Sequence, residues 1–280
     1  MPRHCYALFV VLSATSLTAC SGGHDDTDVP HMLRFAATVG SESFACGKTF
    51  TNVGTGRSSY EPMDFRMYIH DIRFVHGGHV HPLELDQDGK WQVDDIALLD
   101  FEDKTGMCAN GTTETRTVIT GMAPKDEWAS IRFKVGVPFD RNHGDAAVAP
   151  SPLNLSELWW RWNLGYKFAR IDGKTPKGTS PFFMHLGSTG CVPEGSNTVT
   201  SCSNPNVPEI EIPIDPDTGT IKIDLAQLFA EVDLDNDPDP MPPGCMSDPN
   251  DRACIGIFKA FGLDLSTGKA MNGQTLFGKM

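Results

Sequence analysis

Nine histidines and five tryptophans are the residues of this 280-residue chain best suited to hold or be changed by a ligand. Three histidines stand in apolar or aromatic surroundings. His70 lies in Met67-Tyr68-Ile69-His70-Asp71-Ile72-Arg73-Phe74, His143 in Asn142-His143-Gly144-Asp145, and His185 in Phe183-Met184-His185-Leu186-Gly187. Period-two reading puts His70 on one strand face with Tyr68, Ile72 and Phe74. One such histidine is ordinarily a hydrogen-bonded core residue. Three around an aromatic core suggest a buried imidazole site. The densest run, His76-Gly77-Gly78-His79-Val80-His81, places His79 and His81 on one face. It falls at the turn end of an expected hairpin, where polar residues need no special explanation.

Three of the five tryptophans fall within four residues, in Leu158-Trp159-Trp160-Arg161-Trp162-Asn163-Leu164-Gly165-Tyr166-Lys167-Phe168. Alternation puts Leu158, Trp160, Trp162, Leu164, Tyr166 and Phe168 together, the pattern of a core strand with an aromatic face. Asp233-Leu234-Asp235-Asn236-Asp237-Pro238-Asp239 resembles the start of a calcium loop. An EF-hand needs Gly sixth and Glu twelfth, where this chain has Pro238 and Gly244. A looser calcium site competes there with a solvated acidic loop. No Gly-x-Ser-x-Gly, His-Glu-x-x-His or phosphate-cradling glycine loop occurs. No pair of carboxylates is legible as an acid and a base, which disfavours a hydrolase.

The elements that must position these residues are mostly strands. Alternating apolar runs at 32–39, 64–75, 80–85, 90–93, 128–137, 182–186, 209–214 and 220–224 are separated by Gly, Pro, Asn and Asp. Asp86-Gln87-Asp88-Gly89 reads as a hairpin turn between the third and fourth of these. Helical patterning is confined to 225–231, 155–159 and 255–261. The expected fold is all-β: an antiparallel β-sandwich or open barrel with a few short helices and disulfide-stapled loops. One domain is expected over residues 30–280.

The N-terminus supplies an address. A basic start with Arg3, a short apolar core and Leu17-Thr18-Ala19-Cys20 read as a signal peptide over residues 1–19. They precede a lipidated Cys20 and a polar tether over residues 20–29. Ser21 after the cysteine points to outer-membrane sorting, facing the periplasm or the cell surface. Removing residues 1–19 takes away only Arg3, so net charge moves from −13 to −14, with 22 basic and 36 acidic residues left. That surface disfavours nucleic acid and direct contact with anionic lipid, leaving the lipid anchor as the membrane contact. Setting aside Cys5 and Cys20 leaves six cysteines, an even number suited to disulfides in an exported protein. Local spacing makes Cys191–Cys202 and Cys245–Cys254 the simplest pairs and leaves Cys46–Cys108.

Several blocks, taken in order, resemble the MbnP family. They are Phe44-Ala45-Cys46-Gly47, Phe65-Arg66-Met67-Tyr68-Ile69-His70-Asp71, Gly136-Val137-Pro138-Phe139 with Asn142-His143-Gly144-Asp145, Pro152-Leu153-Asn154, Trp160-Arg161-Trp162-Asn163-Leu164-Gly165-Tyr166-Lys167-Phe168, His185-Leu186-Gly187-Ser188-Thr189-Gly190-Cys191 and Gly244-Cys245-Met246-Ser247-Asp248. The resemblance implies a cell-envelope copper-binding protein, with Cu(I) favoured, that is a substrate and carrier instead of an enzyme. Its implied partner is a di-haem, MauG-like cytochrome c peroxidase of the MbnH type, which oxidises a tryptophan to kynurenine. Carried onto this chain, the modified residue is Trp160 or Trp162, and the metal ligands are His70, His143 and His185. Copper suits imidazole, and ring opening of an indole creates an aniline nitrogen that tryptophan lacks. Two rival readings remain. One is a β-sandwich surface module binding carbohydrate or protein through Trp159 and Trp91; the other is a copper oxidase.

Overall fold

The computed structural model describes residues 27–178, 180–195, 198–238 and 242–280. The signal peptide and Cys20 therefore lie outside the described residues, as does most of the tether. Two main sheets pack face to face. In the first, Phe277–Lys279, Thr220–Asp224, Asp28–Val39, Val118–Pro124 and Glu84–Leu85 are neighbours in that order. The second runs Glu209–Ile212, Ser130–Val135, Ser58–His76, Ala169–Lys174, Phe182–Leu186 and Gly244–Cys245, with Ile96–Asp100 along the other edge of Ser58–His76. The all-β expectation holds, as a sandwich and not a closed barrel. Pairing is not wholly antiparallel: Asp28–Val39 runs parallel to Thr220–Asp224, and Phe182–Leu186 parallel to Gly244–Cys245.

The core follows from alternation. Phe35 from one sheet meets Phe133 from the other, and both, like Leu33 and Phe74, are under one-twentieth exposed. The 19-residue strand Ser58–His76 is buried on both faces over most of its length. Its face assignment differs from the simple alternation expected for His70. Asp71 has φ +51°, and the partners slip from Ile131↔Phe74 to Lys134↔His70. One extra residue is thus accommodated on the long strand, which is a β-bulge. Ile72 and Phe74 consequently face the inter-sheet core, whereas His70 stays on the opposite face with Arg66 and Tyr68.

The tryptophan segment also departs from a single strand. It is a tight hairpin, Trp159–Arg161 paired with Gly165–Tyr166, with Gly165 in the left-handed region at φ +78°. A Cβ on Gly165 would fall 2.4 Å from Asn142 Oδ1, so glycine is required by space as well as by φ. Leu158, Tyr166 and Phe168 enter the core, while the three tryptophans remain half-buried along the hairpin. The expected turn at 86–89 does not form a hairpin. Glu84–Leu85 pairs with Val118–Pro124, and Gln92–Val93 with Ile96–Asp100. Asp88 accepts three backbone N–H groups there and shapes a crossing between the two sheets. The helices are Phe139–Asn142, Leu225–Leu228 and Cys254–Phe261, with a 3-10 turn at Ser156–Leu158. All three expected disulfides are present: Cys46–Cys108, Cys191–Cys202 and Cys245–Cys254.

On the outer face of the second sheet, Arg66, Arg170 and His185 fall in one register row, with Asp64 and Asp172 in the next. Arg66 grips Asp64 with two hydrogen bonds of 2.9 and 2.5 Å, and Arg170 Nε lies 2.7 Å from Asp172 and 3.2 Å from Asp64. Asp64 and Asp172 are fully buried. Removing one member leaves buried charge without compensation. Replacing Arg66 by Met should lower stability by about 3–5 kcal/mol, measured by urea unfolding with the disulfides kept oxidised.

Candidate functional site

The tryptophan hairpin lies over this charged row as a cover. Lys167 Nζ and Arg170 Nη1 both bond to Glu157 O, at 2.8 and 3.4 Å, tying the hairpin base to the sheet. Burial pulls the Lys167 ammonium down to about 8. The Trp160 ring packs where Gly187 lacks a side chain; a Cβ there would lie 2.6 Å from the indole. On its inner side Trp160 faces His185, with ring centroids 6.3 Å apart. On its outer side it walls a cleft of about 570 Å³, shared with Leu164, Thr189, Met246 and Asp248.

His185 is oriented for coordination. Its Nε2 lies 3.1 Å from Asp172 Oδ1, yet the directions are wrong for a hydrogen bond, and neither ring nitrogen nor that oxygen has a hydrogen-bond partner. Burial disfavours charge on both groups. At His185 it prevails and the imidazole stays neutral. At Asp172 burial is outweighed by the contacts to His185 and Arg170, and the carboxylate stays ionised. A neutral imidazole nitrogen and a carboxylate oxygen held this close form a two-donor bite for a metal ion. Arg170 fixes the second carboxylate oxygen, the kind of outer contact that holds a ligand in place. Asp172 is absent from the sequence reading because its significance arises only from register across three strands.

His143 and His70 sit elsewhere. His143 Nδ1 lies 2.8 Å from Trp162 O, and its Nε2 is 3.5 Å from Cys202 Sγ. His143, Cys191 and Cys202 converge within 4.8 Å, but both sulfurs are in a disulfide and offer no thiolate. His70 is buried, with both ring nitrogens unpartnered, beside a separate cleft of about 580 Å³ lined by Lys134, Phe139 and Glu209. Two strand spacings and four residues of rise separate His70 from His185, about 16 Å. The structure thus brings Trp160 to His185 and Trp162 to His143, and leaves His70 apart from both pairs. Trp159 and Trp91 are half-buried against the core.

The acidic loop does not gather its carboxylates. Asp233 accepts from the backbone of Asp235 and Asn236, and Asp237 from Gly244 N. Among the described residues Asp233, Asp235 and Asp237 do not converge as a cation-holding group; Asp239 lies outside the described residues.

His70 also marks the molecule's acid sensitivity. Burial holds its imidazole down at about 4, with Asp71 opposing and Lys134 adding to the shift. The unfolded chain keeps the ordinary value near 6.5 and binds the extra proton between these limits. Stability therefore falls as pH drops from about 6.5 to about 4, by up to about 3 kcal/mol, and then levels. A His70→Leu variant should lose this share of the pH dependence, read from urea midpoints at about pH 7 and about pH 4.5.

Comparison with known proteins matches this architecture. The chain is similar to the solved structure of MbnP from Methylosinus trichosporium, with 27% identity, a TM-score of 0.78, and coverage of 90% of this chain and 98% of that one. Among curated proteins no sequence matches significantly. The sequence model of the MbnP family matches residues 29–247, and the chain belongs to that family.

Proposed function

We propose that this chain is a copper-binding protein of the cell envelope, matured when a partner di-haem peroxidase oxidises Trp160 to kynurenine. One observation carries the reading: Trp160 stands between an open cleft and His185, whose ring nitrogens make no hydrogen bond. Its outer side is reachable, and its inner side faces this imidazole, whose Nε2 lies 3.1 Å from Asp172 Oδ1. Trp162 has no such pairing, because His143 is engaged by the Trp162 carbonyl and the neighbouring disulfide. Three disulfides agree with an oxidising compartment.

The modification balances with hydrogen peroxide as oxidant. Two peroxides place two oxygens across the indole C2–C3 bond and leave as two waters, giving N-formylkynurenine. Hydrolysis then consumes one water and releases formate. The product carries an aniline nitrogen beside His185, so an imidazole, an amine and a carboxylate become available to copper. Hydrogen-bonded charges beneath the hairpin hold these groups in place before the metal arrives. The chain contributes position and environment, and the partner's haem performs the oxidation.

Peptide mapping of protein co-produced with an active partner peroxidase tests this. The peptide bearing Trp160 and Trp162 should lose one carbon and gain one oxygen, localised to residue 160 by fragmentation. A Trp160→Phe variant should remain unmodified, and His185→Gln should retain at least about tenfold less copper at equal protein concentration. An intact indole at residue 160 after exposure to active partner would overturn the reading.

A further inference from the structure

Outside both main sheets lies a two-stranded ribbon, Thr189–Pro193 with Val199–Asn204, whose strands pair only with each other. Cys191 and Cys202 stand directly opposite one another in its ladder and form its disulfide. Both are partly exposed, whereas Cys46, Cys108, Cys245 and Cys254 are buried. Against this pair stands His143, the residue that ends the helix Phe139–Asn142. Its Nε2 lies 3.5 Å from Cys202 Sγ, and Nε2 and the two sulfurs all fall within 4.8 Å of one another. Among the described residues, no other disulfide has an imidazole nitrogen within that range.

The imidazole is held with its lone pair toward the sulfurs. Trp162 O can only accept, so its 2.8 Å contact with His143 Nδ1 places the ring proton there. Nε2 of the neutral ring then carries the lone pair. Asn142 agrees: its Oδ1 accepts Tyr166 N–H at 2.8 Å, which turns its amide nitrogen toward His143 Nε2 at 3.3 Å. The same amide has a second acceptor, Ser188 Oγ at 3.4 Å, when Nε2 takes another partner. A backbone carbonyl on one ring nitrogen, with the other available, is the usual support of a metal-bound histidine. Only the sulfur–sulfur bond withholds the remaining donors. Two electrons from a dithiol open it. One dithiol sulfur attacks Cys191 Sγ, and Cys202 leaves as a thiolate. The second dithiol sulfur then releases Cys191 and closes the reductant's own disulfide. The dithiol's two protons go to the released cysteines and leave again when a cation binds. Flanking register pairs, Thr189↔Asn204 and Val192↔Ser201, keep the two side chains opposite one another throughout.

We propose that His143, Cys191 and Cys202 form a metal site masked by their disulfide, which takes a thiophilic cation of the zinc class once a dithiol has reduced the pair. Two thiolates and one neutral imidazole supply three donors to a tetrahedral ion, and partial exposure leaves the fourth position to water. Calcium and magnesium prefer oxygen ligands and are disfavoured by this donor set. A partly exposed disulfide is the kind that thiols reach first, while buried pairs resist. The site shares no donor with Trp160 and His185, so it stands independently of the copper reading.

Full-length oxidised protein made without any peroxidase is exposed anaerobically to graded dithiothreitol, and free thiols are alkylated and mapped. Cys191 and Cys202 should be labelled at a dithiol concentration at least about tenfold below that needed for the other two pairs. With the dithiol removed, the singly reduced protein should take up a single zinc ion in competition with a chromogenic chelator. Bound zinc should slow alkylation of both cysteines at least about tenfold, an effect absent from the fully oxidised chain. Zinc affinity should fall at least about tenfold in His143→Gln and keep its wild-type value in His185→Gln. The order of opening and the protection from alkylation are read on wild type, so neither depends on a variant folding. Earlier opening of Cys46–Cys108 or Cys245–Cys254, or no zinc uptake by the singly reduced chain, overturns the proposal. Wild-type affinity in His143→Gln overturns it as well, and so does zinc binding that is lost in His185→Gln.

Discussion

The burial of Arg66, Asp64 and Asp172, with half-buried Arg170 beside them in two adjacent register rows, is the constraint on which the Trp160 region depends. Isolated charges at these positions would be untenable, so each must face its partner across the strands. Asp100 extends the same field: burial raises its carboxyl to about 7, against the hydrogen bond from Glu102 N and the attraction of Arg66. Glu102 is likewise raised, chiefly by burial. A sheet carrying so much polarity on one face needs a cover, and the hairpin bearing Trp159, Trp160 and Trp162 provides it. The hairpin is anchored where Lys167 and Arg170 converge on Glu157 O. The position of Trp160 is thus set by charges it does not itself touch.

Legibility of the fold varied with the kind of information involved. Strands at 182–186 and 220–224 coincide with the observed elements because both are short, β-branched or aromatic, and bounded by turn residues. The three disulfides were accessible through counting and loop length. The tryptophan segment misled because its alternation is real, yet Gly165 at positive φ folds it back on itself. Nothing in a period-two pattern reports such a reversal. The 86–89 turn misled for the opposite reason: its residues do make a turn, but one that crosses between sheets.

The candidate site was legible in part. His185 and Trp160 were recognisable by type and neighbourhood, and they do meet. Asp172 was invisible because its role arises from a third strand, and an aspartate preceding glycine looks like any turn residue.

The bulge at Asp71 has a consequence for how this strand can change over evolution. By inserting one residue, it moves Ser58–His76 out of phase midway, so that its first half and its last residues answer to different neighbours. Arg66 and His70 belong to the covered polar face, whereas Phe74 belongs to the sandwich interior. The phase shift lies in the bulged conformation of that residue. Straightening the bulge with all residues kept would exchange inside for outside along everything beyond it, placing Phe74 in water and Arg73 in the core. Side chains are accommodated at the Gly77–Gly78 tip, where a Cβ meets nothing within 4 Å, whereas residue 71 must keep its positive φ for Phe74 to stay inside. A single phase shift lets one strand serve two local environments that can diversify independently.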